Sequence, residues 1–152
     1  MKELLKRKTK KISRMSYRII SKFIKDVSFE IPNAQSFVML EKEISNYSLN
    51  FDIKSKPYKE NIIEVDTTLK MVPNQDVKNK ILGEITGASL VSIDKNLDNK
   101  NEIEKIVLIE VPQEIYKTLY ETFVFLFKQA GVKNIQIQKE VDFQKLYDSR
   151  KK

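Results

Sequence analysis

Neither cysteine nor histidine occurs among the 152 residues, so the chain lacks a thiolate, the commonest general base and the commonest metal ligand. Chemistry would fall to carboxylates, lysines and tyrosines. Their spacing spells out no phosphate loop, dinucleotide fingerprint, calcium loop or nucleophile–base pair. We therefore expect no enzymatic activity, no cofactor and no metal site. What the charged residues offer is a solvated strand face or a surface for recognition. The most regular arrangement is KDVSFEIPNA, residues 25–34, where Asp26, Ser28 and Glu30 alternate with Val27, Phe29 and Ile31. A period of two is a strand with one apolar and one polar face, and it stands the two carboxylates about 13–14 Å apart on the polar face. Pro32 ends the strand for want of an N–H, and Asn33 favours a turn.

Charge is unevenly spread. Of the net +7, residues 1–25 hold ten Lys and Arg against Glu3 alone, while the remaining 127 hold 18 against 20 Asp and Glu. The chain reads as a basic arm on a weakly acidic body. Residues 1–14, MKELLKRKTKKISR, have too few apolar groups to bury and too short an apolar run for a secretory signal. They read as a flexible or weakly helical arm ahead of a single domain over 15–152. Such an arm either solubilises or meets RNA, anionic lipid or an acidic partner. No run of 18 apolar residues is present, so no membrane span is expected.

The body places its side chains on an antiparallel sheet. Residues 17–31 predict a first strand, apolar on both sides near Ile19, Ile20, Phe23 and Ile24, hence buried twice or bulged. Residues 35–42 lead into a second strand over 44–55 with Tyr47, Leu49, Phe51 and Ile53 on its apolar face, and 56–61, containing Pro57, make the turn. Residues 62–72 repeat the alternation through Ile63, Val65, Thr67, Leu69 and Met71. After a turn at 73–76, residues 80–93 give a fourth strand, with Gly83 and Gly87 as bulge or close-approach positions. Four strands on short turns make an antiparallel meander.

A polar crossover at 94–104 and an apolar extended run at 106–111 follow. Pro112 and Glu114 then open a helix that runs to Ala130 and stops at Gly131. Ile115, Leu119, Phe123 and Leu126 form one stripe on it; Tyr116, Tyr120, Val124 and Phe127 form an adjoining one, with Phe125 beside them. Together they are wider than one sheet can cover. At about 1.5–3 kcal/mol per buried large side chain, leaving half of them wet is costly, so the helix is expected between its own sheet and another subunit. Residues 134–139 read as extended with Ile135 and Ile137 inward, and 140–150 as a short helix with Phe143, Leu146 and Tyr147 on one side.

In this order the segments resemble the SecB family of bacterial protein-export chaperones over about residues 17–147. KDVSFEIPNA is similar to the family's first strand and turn, YSLNFD (47–52) to its second strand and NIIEVDTTLKM (61–71) to its third. ILGEITGASLVSI (81–93) is similar to the fourth, and KNIQIQKEVDFQKLY (133–147) to the closing segment. The chain departs from the family pattern where Ala88-Ser89 replaces a Gly-Gly pair, where Glu140 stands for a Pro, in LIEVPQEIYK at the long helix, and in lacking an acidic C-terminal tail.

The resemblance implies an α+β fold: a four-stranded antiparallel sheet with one long and one short C-terminal helix, assembled as a tetramer that is a dimer of dimers. It also implies two binding surfaces. Asp26 and Glu30, with Leu82 and Glu84 of the fourth strand, correspond to the face that docks the zinc-bearing C-terminal segment of the SecA motor, the zinc belonging to the partner. Tyr47, Leu49 and Phe51, with Val107, Leu108 and Ile109 and with Phe143, Leu146 and Tyr147, correspond to a client-binding groove. The implied function is an ATP-independent cytoplasmic holdase that binds unfolded preproteins and delivers them to SecA. Two alternatives stand beside it. One is a SecB-like chaperone dedicated to a single client, such as the antitoxin of a toxin–antitoxin pair. The other is a nucleic-acid or anionic-surface binder acting through the basic arm.

Overall fold

Strands β1 (Tyr17–Glu30), β2 (Tyr47–Lys59), β3 (Ile62–Pro73) and β4 (Leu82–Ile93) form one antiparallel sheet in the order β1-β4-β3-β2. The computed structural model describes residues 16–150, so the expected arm at 1–14 lies outside the described residues. The expected four-stranded meander forms only over β2, β3 and β4; β1 does not neighbour β2, because the connection after Glu30 carries the chain across the sheet and β1 pairs with the far side of β4. The helices are α1 (Ala34–Glu43), α2 (Lys100–Lys105), α3 (Val111–Gln129) and α4 (Phe143–Arg150). The architecture is the α+β fold expected.

One face of the sheet carries the core. Val65, Leu69, Ile85 and Val91 are fully buried there, as are Ile115, Leu119 and Phe127 of α3. Gly83 and Gly87 let the helix lie this close. A Cβ on Gly87 would fall 2.6 Å from Ile115 Cδ1 and 2.8 Å from Leu119 Cδ2, and one on Gly83 would fall 3.0 Å from Phe123 Cζ. They are close-approach positions; the bulges lie across from β4, on β1. There the register steps between Ile19 and Ser21 and again between Ile24 and Asp26. The two-sided apolar part of β1 is thus bulged, and Ile20, Phe23, Ile24 and Val27 remain 37–45% exposed within this chain.

Local expectations differ from what forms at several points, beginning with the crossover at 94–104, which holds α2 with Asn99 as its N-cap. Residues 35–42 are helical: Asn33, read as a turn former, is the N-cap of α1, its Oδ1 accepting from Ser36 N at 2.8 Å. Pro57 lies inside β2, which runs on to Lys59, because an edge strand tolerates a residue without an N–H. The turn is instead at Asn61, whose φ is +56°. Ile106–Glu110 is a π-helical turn, not an extended run, and joins α2 to α3 in one continuous helical path. Pro112 cannot donate the next helical hydrogen bond, and the Val111 N–H reaches back to Ile106 O instead. The last helix begins at Phe143, three residues later than expected.

α3 ends as expected at Gly131, with φ +100°. Gly131 N donates to Lys128 O at 3.1 Å and Val132 N to Phe127 O at 3.0 Å, the paired bonds of a Schellman cap. The cap turns the chain so that Val132 is buried in the same core as Phe127.

Gly87→Val should cost about 1–3 kcal/mol by overpacking, and Ile115→Ala in the same chain should recover part of that loss. Urea unfolding of the two single variants and the double variant checks this; additive losses would mean that the helix does not sit on the sheet at this point.

Candidate functional site

The face of the sheet away from α3 is polar and open. Cross-strand rows follow from the register: Asp26, Thr86, Thr68 and Asp52 form one, and Ser28, Glu84, Lys70 and Asn50 the next. Thr68 Oγ1 and Thr86 Oγ1 meet at 2.8 Å in the middle of the first row. Glu30 and Leu82 pair directly in the row beyond. All four residues expected to form the docking face therefore gather at one corner, on two adjacent strands. Leu82 is 38% exposed there as the one large apolar group among three carboxylates. Among the described residues none of those carboxylates has a cation within ion-pair distance.

Beside this corner lies an ionic cluster that sequence reasoning missed. Lys25 Nζ bonds Glu64 Oε2 at 2.7 Å and Asp66 Oδ2 at 2.8 Å, and Lys56 Nζ lies 3.5 Å from Glu64 Oε2. The hydrogen bond from Lys25 brings Glu64 down to about 2. Burial raises Asp66, and the neighbouring Glu64 carboxylate adds to that rise. The available signal was a break in alternation: Lys25 and Asp26 are successive polar residues between Ile24 and Val27.

A second surface lies on the helical side. Phe51 of β2, Leu108 of the π-turn and Phe143, Leu146 and Tyr147 of α4 line a groove of about 230 Å³. Ile53, Glu104 and Arg150 complete it and were not expected. Its floor is aromatic: Phe51 meets Phe143 edge-on at 5.3 Å and Tyr116 at 5.9 Å. Burial pushes the Tyr116 phenol up to about 12, and its hydroxyl donates to Gln138 O. Arg150 Nη2 donates to Phe51 O at 3.2 Å, tying the end of α4 to β2. The remaining expected groove residues, Tyr47, Leu49, Val107 and Ile109, do not line it. Tyr47 lines a separate depression with Met39 and Val77, Leu49 and Ile109 pack against the main core, and Val107 is buried in a second core cluster.

The expected interface helix is partly used by its own chain. Ile115, Tyr116, Leu119, Phe123 and Phe127 are buried in it, while Tyr120, Val124 and Leu126 are half-buried and Phe125 is 58% exposed. The two sheet edges contrast. β2 is guarded by Lys54, Lys56, Pro57 and Lys59, the usual protection against edge-to-edge pairing. β1 has fourteen residues and bears exposed Ile20, Phe23, Ile24 and Val27.

Comparison with known proteins gives a consistent picture. The family model described as preprotein translocase subunit SecB matches residues 10–152. A Pelagibacter ubique protein named for SecB-type protein export is 40% identical over 135 residues, which are 89% of this chain and 96% of that one. A protein-export protein SecB of Rhodospirillum rubrum is 27% identical over 133 residues, 87% of this chain and 80% of that one. Among solved structures, a SecB-like chaperone of Mycobacterium tuberculosis, in complex with a peptide of the HigA1 antitoxin, has the same fold. It superposes with a TM-score of 0.64 at 9% identity, covering 86% of this chain and 92% of that one.

On acidification Asp66 should take up a proton before Glu64 does. Glu64 lies below its ordinary 4.5, so its contribution to stability is present above pH 4.5 and is lost as pH falls through about 2. Asp66 lies above its ordinary 3.8, so its contribution has the opposite sign: present below pH 3.8 and lost as pH rises through its folded value. Carboxyl carbon NMR through the titration reads both; Glu64 titrating near 4.5, or ahead of Asp66, would contradict this arrangement.

Proposed function

The chain belongs to the SecB family, and from that premise we propose a division of labour between its two faces: clients in the aromatic groove, the SecA motor on the acidic corner. It is a chaperone of protein export that holds non-native polypeptides. The observation that carries the proposal is the groove itself, an open aromatic slot between β2 and α4 on the opposite side of the sheet from Asp26, Glu30, Leu82 and Glu84. Apolar contact is non-directional, so a slot walled by Phe51, Leu108 and Leu146 accepts many extended segments without reading their sequence. Nothing in that exchange requires a nucleotide or a bond-making residue, in keeping with a holdase that is not an enzyme. The motor's short, zinc-bearing basic segment would find steering in the three carboxylates and an anchor in Leu82.

The holdase works as a dimer of dimers in this reading. The long β1 edge, with its exposed Ile24 and Val27, is one seam. The uncovered Tyr120, Val124, Phe125 and Leu126 on α3 are the other. Several grooves on one tetramer would engage one client at several points and multiply weak contacts into avidity. Among the described residues no helix is long and apolar enough to cross a membrane. We place the activity in the cytoplasm, where preproteins are still unfolded. Residues 1–14 act as an accessory arm outside the 15–152 domain. A second reading, a single dedicated client, is favoured by one observation: the structural neighbour from M. tuberculosis holds an antitoxin peptide.

A labelled, permanently unfolded protein should bind with little dependence on salt and equally well after deletion of residues 1–14. Leu108→Asp with Leu146→Asp should weaken it about tenfold or more. Binding that vanishes with salt or with the arm would contradict the groove and favour an anionic partner of the arm. Failure of unfolded proteins, with tight binding of one peptide, would select the dedicated client. Ile24→Glu with Val27→Glu should reduce the assembly to smaller species in sedimentation velocity; an unchanged sedimentation coefficient would move the seam away from β1.

A further inference from the structure

We propose that clients enter the groove as a strand added to the edge of β2, and that Arg150 is the stopper they displace. The inference deepens the client-binding reading of that groove and rests on it. Which backbone groups of β2 face outward follows from its pairing with β3. In an antiparallel pair, residues that exchange both ladder bonds alternate with residues that exchange none. Asn46 O accepts from Asn74 N at 2.7 Å, one step beyond the Tyr47–Pro73 pair. Bonding to β3 therefore falls on the even-numbered residues of β2, through Asn50, Asp52 and Lys54. The prolines agree: Pro57 and Pro73 both sit in pairs of the other kind, where a missing N–H costs the β2–β3 ladder nothing.

Leu49, Phe51, Ile53 and Ser55 are left with their N–H and C=O pointing away from β3. Phe51 O is accordingly open to α4, and Arg150 Nη2 reaches it at 3.2 Å. Two of these outward-facing residues, Phe51 and Ile53, also line the groove with their side chains. Edge protection stops where the groove begins. Lys54, Lys56, Pro57 and Lys59 guard the second half of β2, and residues 47–53 contain neither lysine nor proline. On that half Arg150 stands in for a guard. It fills one carbonyl with an exposed side chain, whose single hydrogen bond is readily exchanged for another.

A strand laid against this edge lies about 4.8 Å from β2. In antiparallel addition, the client residue opposite Phe51 exchanges both bonds with it. Its side chain then stands on the same side as Phe51, in the groove. Its N–H takes the place of Arg150 Nη2 at Phe51 O. Backbone pairing, like apolar contact, reads no particular sequence. It asks for an apolar residue at every second position, with a free N–H at that same residue.

The test uses a short synthetic peptide alternating Leu and Ser, with two N-methylated versions, one at the Leu amides and one at the Ser amides. Amide hydrogen exchange in the full chain, resolved by NMR, reads the edge directly. The Phe51 and Ile53 amides should exchange fast in the free protein and slow about tenfold or more when the peptide binds. Asp52, bonded to β3, should be protected throughout. Methylation at the Leu amides should weaken binding about tenfold or more, and at the Ser amides hardly at all. Arg150→Met, checked for folding by circular dichroism, should bind the unmodified peptide about threefold tighter, because Phe51 O is already free. A residue that merely props α4 against β2 predicts weaker binding instead. Absence of new protection at Phe51 and Ile53 overturns the inference, as do equal effects of the two methylations, and equal or weaker binding by Arg150→Met overturns the stopper. If the edge stays unprotected while Leu108→Asp with Leu146→Asp still weakens the peptide, the added strand falls and the groove reading stands. Edge protection that ignores that double substitution would uphold the added strand and refute the groove reading instead.

Discussion

The close seating of α3 on the sheet at Gly83 and Gly87 is the constraint from which the rest follows. Two glycines on β4 leave a hollow for Ile115, Leu119 and Phe123, and that contact commits one face of the sheet to the core. With only one helical layer above four strands, the other face has to be polar, and it is. In the proposed reading, function sorts by face. The covered side ends in an aromatic slot where α4 and the π-turn meet β2, and the open side offers a flat charged surface.

The same constraint shapes the edges. A sheet covered once has two edge strands, and this chain treats them differently: β2 is protected by lysines and a proline, while β1 carries apolar residues into solvent. The asymmetry is economical if β1 is completed by another copy and β2 is kept free beside the groove. The π-turn belongs to the same logic. It absorbs Pro112 and brings Leu108 to the groove wall without interrupting the helical path into α3.

Much of this was legible from residue order alone. Alternation located the second half of β1, β3 and the inward face of β2, and Pro112 and Gly131 bracketed the long helix. The placement of β1 beside β4 was carried by the family resemblance, since no local pattern specifies which strands pair across a long connection. α1 is not legible in the sequence because Asn33 serves equally as turn former and helix cap, and Phe37, Leu40 and Ile44 supply only two helical intervals after it. The run at 106–111 reads as extended because a short apolar stretch has no period to distinguish extended from helical. Of the expected groove, Phe51, Leu108, Phe143, Leu146 and Tyr147 converge; Ile53 and Arg150 join from the same strand and helix, and Glu104 from α2, whose approach depends on tertiary packing. The Lys25 cluster was hidden for a similar reason, its partners lying about forty residues away on β3.

The central claim is that clients lie in the slot on the helical side and not on the open face. Site-specific photo-crosslinking tests it most directly, with a photoreactive residue placed at Leu108 in one chain and at Thr86 in another, each presented with the same unfolded protein. The account predicts strong crosslinking from position 108 and little from position 86. Crosslinks concentrated at position 86 would contradict it and assign client binding to the open face of the sheet.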